Sequence, residues 1–319
     1  MRNLVIGSFL LSLAGAIWGG MFIAVRIAVA VIPPIELVWM RFGTALIALL
    51  CIMFFTKQSF KIERKDWKHL FIVSFSGYLL SIVVQETGTM LTSAQTGALV
   101  TAATPAFMVI FGCFLLHERL TLGRVLSVIL ATAGVLLITF DPENVKVTPL
   151  GCLCLVAAAV TWAYMSVVLK FLSKYSPIAI TFYAVFFSFI TLTPLGMHWL
   201  MSEADVAKLI EPKIILCILY LGLISTTAGF ILWNKGLTYM DAAIGGLFMF
   251  FQPIVGALLG WLFLDEEITL LFWIGFLLIA VGILLTLKKG NTTAAEKLVR
   301  ARNSAENIFH TGQKRSSGV

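Results

Sequence analysis

Residues 97–121 read GALVTAATPAFMVIFGCFLLHERLT, and residues 245–269 read GGLFMFFQPIVGALLGWLFLDEEIT. The two stretches align without a gap. Gly97 falls on Gly245, Pro105 on Pro253, Gly112 on Gly260, Glu118 on Glu266 and Thr121 on Thr269. Composition bias yields chance Leu and Gly matches. It does not place Pro, Glu and Thr in one register. The same shift carries Gly88 onto Gly236 and Gly134 onto Gly282. Nearer the N-terminus a slightly smaller shift superposes Gly7 on Gly151, Ala14 on Ala158, Trp18 on Trp162 and Pro33 on Pro177, with Arg26 on Lys170 matching in charge. The chain is therefore read as an internal duplication, with residues 1–146 and 147–288 as the two copies.

Each copy is apolar almost throughout. Of the 319 residues, 60% are hydrophobic and 12% charged, against about 25% charged in an average soluble domain. Mean hydropathy is +0.98. A water-soluble surface cannot be covered from that inventory, so a cytosolic enzyme, a nucleic-acid binder and a disordered scaffold are excluded. The apolar runs are continuous and about twenty residues long, the length of a membrane-spanning helix. They lack the alternation of a transmembrane β-barrel. Ten spans are expected near 7–29, 34–56, 69–91, 95–116, 122–140, 149–171, 177–199, 213–237, 242–264 and 269–287. Pro33 and Pro34 separate the first two, Asp141-Pro142 closes the fifth and Pro177 opens the seventh. Thr121 and Thr269 read as N-caps. The first run is too long for a signal-peptide core and has no cleavage site after it.

The basic residues orient the spans. Lys57, Lys61, Arg64, Lys65 and Lys68, then Arg119, Arg124, Lys170, Lys174 and Lys235, share one side with the basic tail. Lys146, Lys208 and Lys213 lie on the other. The positive-inside rule makes the richer side cytoplasmic and puts both termini there. The net charge of +7 thus reflects topology, not nucleic acid. With five spans per copy the copies enter the membrane in opposite senses. Inverted repeats are typical of alternating-access transporters, with substrate bound at the repeat interface. The expected fold is all-α: ten transmembrane helices as two inverted five-helix repeats. Residues 289–319 form a polar tail, read as a disordered cytoplasmic segment or one with a weak amphipathic face through Leu298, Ala305 and Ile308.

Several local motifs support a family resemblance. The first span reads Trp18-Gly19-Gly20-Met21-Phe22 and ends in Arg26. The fourth carries Thr92-Ser93-Ala94, Pro105 and Leu116-His117-Glu118-Arg119-Leu120-Thr121. The eighth and ninth carry Trp233-Asn234-Lys235-Gly236-Leu237, Gln252-Pro253 and Gly260-Trp261-Leu262-Phe263-Leu264-Asp265-Glu266. Over about residues 7–287 the chain resembles the EamA family of the drug/metabolite transporter superfamily. The resemblance implies ten helices, cytoplasmic termini and carriage of small metabolites, commonly amino acids and their derivatives, often outward. His117 and Asp265 stand where the family usually has Gly.

Candidate substrate-cavity residues follow from helical spacing. Tyr78, Ser81, Gln85 and Thr89 share one face of the third span. Gly97, Thr101, Thr104 and Met108 share a face of the fourth, and Gly245, Met249, Gln252 and Gly256 one of the ninth. For Gln85, Thr104 and Gln252, cavity lining and interhelical hydrogen bonding are both open. For the glycines, Gly15 and Gly19 included, close helix packing is expected. Trp18 and Trp162 lie too deep for interfacial anchors and are read as cavity walls or core. Tyr164 and Trp233 are further cavity candidates. Arg26, Arg41 and Glu86 are the gate candidates near the outer side, with Lys170, Asn234 and Lys235 as their inner counterparts. Glu86 pairs with Arg41 or Arg26 as an outer gate, carries a coupling proton, or forms a static ion pair. Glu118 and Glu266 are expected to cap the helices that follow them.

The five Cys lie in apolar runs with no His cluster nearby, so neither zinc nor a disulfide framework is expected. No Gly-rich nucleotide-binding loop precedes a Lys-Ser or Lys-Thr pair, and no catalytic cluster is visible. No cofactor is expected. The partners expected are a small-molecule substrate, the bilayer of the cell inner membrane and a possible coupling proton. The leading function is a secondary transporter of amino acids or related metabolites, since basic gates and an uncharged cavity suit a zwitterion or small anion. The rivals are a multidrug or quaternary-amine exporter, a membrane-embedded enzyme and a channel.

Overall fold

The computed structural model describes residues 2–56, 59–116, 122–139, 147–239, 245–265, 268–278 and 280–281. Among them the regular elements are all helical. The long helices are α1 (Arg2–Ala28), α2 (Pro34–Thr56), α3 (Arg64–Met90), α4 (Ala94–Leu115), α5 (Leu122–Thr139), α6 (Pro149–Leu172), α7 (Pro177–Ser202) and α8 (Pro212–Leu237), followed by the shorter α9 (Phe248–Leu264). Residues 270–278 are again helical. Seven of these helices are long and apolar enough to cross a membrane. Their outward faces carry Phe54, Phe55, Phe114 and Met201, each more than two-thirds exposed, as a surface solvated by lipid requires.

The helix boundaries follow the breakers. Pro34, Pro149, Pro177 and Pro212 each open a helix, where the missing N–H leaves no hydrogen bond unmade. Thr148 caps α6 by accepting from Gly151 N at 3.1 Å. Thr269 caps the last described helix by accepting from Phe272 N at 3.1 Å. Thr121, His117, Glu118, Glu266, the Asp141-Pro142 break and the C-terminal tail lie outside the described residues. Asp265 ends α9 in the left-handed region with φ of 51°. Glycine adopts that backbone without strain and aspartate tolerates it.

Four helices depart from regular α geometry within their length, in two pairs, while α6 tightens to a 3-10 turn only at its end, Leu169–Leu172. In α4 the helix breaks between Thr101 and Thr104, ahead of Pro105. Proline cannot donate to the carbonyl four residues back, and the Thr104 hydroxyl donates to that Thr101 carbonyl instead, at 2.5 Å. In α9 a tight turn over Leu247–Phe250 precedes Pro253. In α3 the segment Val73–Leu80 widens into π-helix, and in α8 Tyr220–Ala228 does the same. The Thr226 and Thr227 hydroxyls donate to the carbonyls of Leu221 and Gly222, at 2.7 and 3.0 Å, within the second of these. Such bulges are frequent at functional sites.

Close packing uses small residues. A Cβ on Gly88 would lie 2.7 Å from Leu155 Cγ and 2.9 Å from the Gly151 carbonyl oxygen, so the end of α3 meets the start of α6. A Cβ on Gly236 would lie 2.5 Å from Leu11 Cγ and 3.4 Å from the Gly7 carbonyl oxygen, so the end of α8 meets the start of α1. The end of α3 also meets the other end of α1, where Arg26 Nη1 donates to the Met90 carbonyl at 2.6 Å. The C-termini of α3 and α8 therefore lie at opposite ends of α1. Along its length α1 packs on α9 and α8, while α6 packs on α3 and α4.

Candidate functional site: a central cavity and a buried ion pair

The broken turns of α4 and α9 meet the middle of α1, α3 and α6 around a narrow cavity. Its core is about 10 Å³ for the centre of a water molecule, room for one. Six residues read from the sequence line it: Trp18, Gln85, Thr101, Thr104, Trp162 and Gln252. Thr101 Oγ1 and Gln252 Oε1 approach to 3.4 Å across the α4–α9 junction. Met249, on the predicted α9 face, lines it too. Met21, Ile82, Ala158, Ala159 and Phe230 complete the wall. These are apolar residues, and polar-face reasoning passes over them. Met21 follows Trp18 by three positions, a spacing that puts both on one helix face.

The aromatic wall is a cluster. Trp18 lies 5.2 Å from Trp162, 5.3 Å from Trp233 and 5.7 Å from Phe230, centroid to centroid. Trp18 is held by donation from Nε1 to the Ser225 carbonyl, at 3.0 Å, inside the widened turn of α8. The Trp162 indole N–H is buried and has no acceptor among the described residues. Three predicted cavity residues stand behind this wall. Trp233 is fully buried against Trp18, and Tyr78 packs on Phe230 at 4.5 Å. Ser81 donates to the Ala158 carbonyl at 2.9 Å, tying α3 to α6. Tyr164 turns elsewhere, with its ring edge-on to Phe111 at 5.3 Å.

Beside the cavity lies an ion pair with no solvent exposure. Arg41 Nη1 donates to Glu86 Oε1 at 2.6 Å, and both side chains are 0% exposed. Arg41 also donates from Nε to Thr226 Oγ1 at 3.0 Å and from Nη2 to Ser225 Oγ at 3.1 Å, both in the widened turn of α8. Glu86 Oε2 has no partner among the described residues. Of the two expected partners, Arg41 takes Glu86. Arg26 instead caps α3 through Met90.

At the far end of α1 the inner candidates divide. Lys170 Nζ donates to the Leu237 carbonyl at 2.7 Å, closing α8 as Arg26 closes α3. Asn234 Nδ2 donates to Tyr78 Oη at 3.1 Å and Thr181 Oγ1 at 3.0 Å. A second small void between α6, α7 and α8 is lined by Lys170, Tyr175, Ile180 and Asn234. Lys235 is exposed, its ammonium 5.3 Å over the Tyr239 ring, and takes no part in this arrangement. A surface clasp that sequence reading missed closes the same end. Lys174 Nζ binds Glu63 Oε1 at 2.8 Å and Asp66 Oδ2 at 2.9 Å, and Tyr175 Oη donates to Asp66 Oδ2 at 2.6 Å. Hydrogen bonds from Lys174, then Lys65, hold the Glu63 carboxyl below the usual carboxylate range. Asp66 and then Glu63 raise the Lys174 ammonium above its usual value.

Known proteins resemble this chain in sequence, and a solved structure resembles it in fold. An uncharacterized transporter of Archaeoglobus fulgidus is 29% identical over 281 residues, 88% of this chain and 98% of that protein. A probable amino-acid metabolite efflux pump of Escherichia coli is 25% identical over 274 residues, 84% of this chain and 90% of that protein. A crystal structure 20% identical in sequence superposes with a TM-score of 0.66, covering 92% of this chain and 98% of the other. The EamA-like transporter family matches residues 5–140 and again residues 149–288. With both halves matched, the chain is a multi-pass membrane protein that belongs to the EamA-like transporter family.

Proposed function

We propose that the chain is a secondary transporter of ten membrane-spanning helices, arranged as two inverted five-helix repeats over residues 1–146 and 147–288. It sits in the cell inner membrane with both termini and the tail at 289–319 in the cytoplasm. It carries small amphipathic metabolites, amino acids or related compounds, outward by alternating access. The central cavity carries this reading. Its wall sets Trp18, Trp162 and Phe230 beside neutral amide and hydroxyl groups, where two interrupted helices meet. Mid-membrane sites of inverted-repeat transporters have that construction.

Four paired features support the inverted repeat. They are the widened turns of α3 and α8, the breaks before Pro105 and Pro253, the Gly88–Leu155 and Gly236–Leu11 contacts, and the Arg26 and Lys170 caps. Their distribution between opposite ends of α1 fits copies of opposite sense. In this reading Arg41–Glu86 closes the outer end, and Lys170 and Asn234 belong to the inner one. Glu86, as the one fully buried carboxylate among the described residues, is also the proposed carrier of any coupling proton.

Counterflow in proteoliposomes tests the reading, with labelled amino acids, nucleosides and one quaternary amine offered to the purified protein. Exchange of an amino-acid class without an imposed gradient is expected, reduced in Trp18→Ala. The aromatic cluster favours one second reading, a quaternary-amine exporter, because indole faces attract such cations. Arg41 neutralises the carboxylate that a cation would need. Exchange of the amine alone would overturn the amino-acid reading in favour of this one.

A further inference from the structure

Met21 joins two features of the site that are otherwise separate. Its side chain lines the cavity. Its Sδ also accepts from Arg41 Nη2 at 3.6 Å and from Gln85 Nε2 at 3.8 Å. One flexible thioether thus stands between the cavity and the buried ion pair. Methionine has three soft torsions and a polarizable sulfur, so it can swing aside without breaking a strong contact.

The ion pair behind it is built with spare capacity. Arg41 and Glu86 meet through one oxygen, although a guanidinium and a carboxylate can meet through two. Glu86 Oε2 is left buried with no partner among the described residues. Arg41 is oriented from its other side by the hydroxyls of Thr226 and Ser225. The Ser225 carbonyl in turn accepts the Trp18 indole N–H. One residue of α8 therefore connects the cavity wall to the arginine.

We infer that the Arg41–Glu86 pair is a head-group subsite for an α-amino acid with an apolar side chain, opened when Met21 swings aside. The substrate carboxylate takes Arg41, its ammonium takes Glu86, and its side chain stays among Trp18, Trp162 and Phe230. This rests on the amino-acid reading above and specifies its chemistry. Splitting a buried ion pair strands two charges, and that penalty is repaid only by a ligand bringing one of each sign. An amine leaves Arg41 without its carboxylate, and an acid leaves Glu86 without its cation. The subsite therefore selects zwitterions by excluding both singly charged relatives.

The test is a binding titration on the purified full-length protein, read by tryptophan fluorescence. The ligands are L-leucine, leucinamide, which lacks the carboxylate, and N-acetyl-leucine, which lacks the ammonium. Wild type is expected to bind leucine at least tenfold more tightly than either analogue. In Glu86→Gln the preference for leucine over N-acetyl-leucine is expected to fall below threefold. In the double variant Arg41→Gln, Glu86→Gln, which removes both charges and keeps a polar amide at each position, preference over both analogues should vanish. Wild-type preference persisting in either variant overturns the subsite and leaves the amino-acid reading standing. A wild type that binds and carries no amino acid overturns both.

Discussion

Replacing Gly15 with alanine tests how the cavity is assembled. Gly15 lies where α1 crosses α9. A Cβ there would sit 2.4 Å from the Phe248 carbonyl oxygen and 3.1 Å from Phe251 Cβ. Ordinary contact begins near 3.4 Å, so the two helices must part by about 1 Å. The obstructing oxygen belongs to backbone and cannot rotate away. A radial gap of that size forfeits roughly half the dispersion energy of the atoms it separates. Overpacking of this kind costs up to about 3 kcal/mol, and alanine regains about 1 kcal/mol of helix propensity. The expected net loss is about 2 kcal/mol, seen as a lower thermal unfolding midpoint for the purified protein. Transport should fall as well, because α1 carries Trp18 and Met21 and α9 carries Gln252 into the same cavity. Gly43→Ala is the control. Its Cβ would meet only the edge of the Phe189 ring, at 3.0 Å, and a side chain can yield. Wild-type unfolding and transport in Gly15→Ala would refute the close α1–α9 approach.

Three further outcomes are expected. Arg41→Gln alone strands Glu86 in the interior and should destabilise by about 3–5 kcal/mol, while Arg41→Gln with Glu86→Gln should recover most of that loss; equal unfolding midpoints for the single and double variants would contradict it. Trp18→Phe keeps a ring in the cluster but loses the bond to the Ser225 carbonyl, so transport should drop while stability changes by about 1 kcal/mol; unchanged transport would detach the indole from function. Lys174→Ala should loosen the loop before α3 from the α6–α7 turn, increasing a spin-label distance between those segments. In wild type the same loosening should begin as pH falls through the depressed Glu63 range, since a lowered carboxyl stabilises the fold above its unfolded value and ceases to below its folded one. An acid-insensitive distance would remove Glu63 from the clasp.

Helix positions were legible because breakers and period agree. Pro34, Pro149 and Pro177 open helices at the positions expected from sequence, and the first residues of α5 and α6 coincide with the expected edges. The cavity was half legible. A polar side chain in an apolar span signals itself because burying it needs a partner, which marked Gln85, Thr101, Thr104 and Gln252. Ile82, Ala158 and Ala159 carry no such mark, since an apolar residue reads alike facing a cavity, a neighbour or lipid. Ser81 and Tyr78 show the converse error: their polar groups are satisfied by Ala158 and Asn234 behind the wall. The widened turns were illegible, because Ser and Thr in an apolar run are equally at home in regular helix. The clasp joins residues 111 and 108 positions apart in sequence, beyond any local pattern.

The two ends of α1 share a backbone plan but not a chemistry, and that difference bears on direction. Position 86 is glutamate, buried and paired with Arg41. Its counterpart in the second half is Asn234, which donates to Thr181 on α7 and to Tyr78 on α3. Opening the first end without a ligand breaks an ion pair, at about 3–5 kcal/mol if the charges stay buried. Opening the second breaks two neutral hydrogen bonds, at about 0.5–1.5 kcal/mol each. In the clasp at that second end solvent reaches and screens Lys174 and Glu63, while Asp66 lies nearly buried beside them. An empty carrier should therefore open more often on the Asn234 side, which the proposed orientation makes cytoplasmic. Loading from the cytoplasm then follows, and a zwitterion that repays the opening of the ion pair would release the other end. Cysteine labelling in a Cys-free background measures this bias. Ile180→Cys, lining the void beside Asn234, should react with a polar maleimide faster than Ile32→Cys near the opposite end of α1. A faster Ile32→Cys reaction in the unliganded protein would show that the ion pair does not set the resting state, and the energetic argument for export would fall with it.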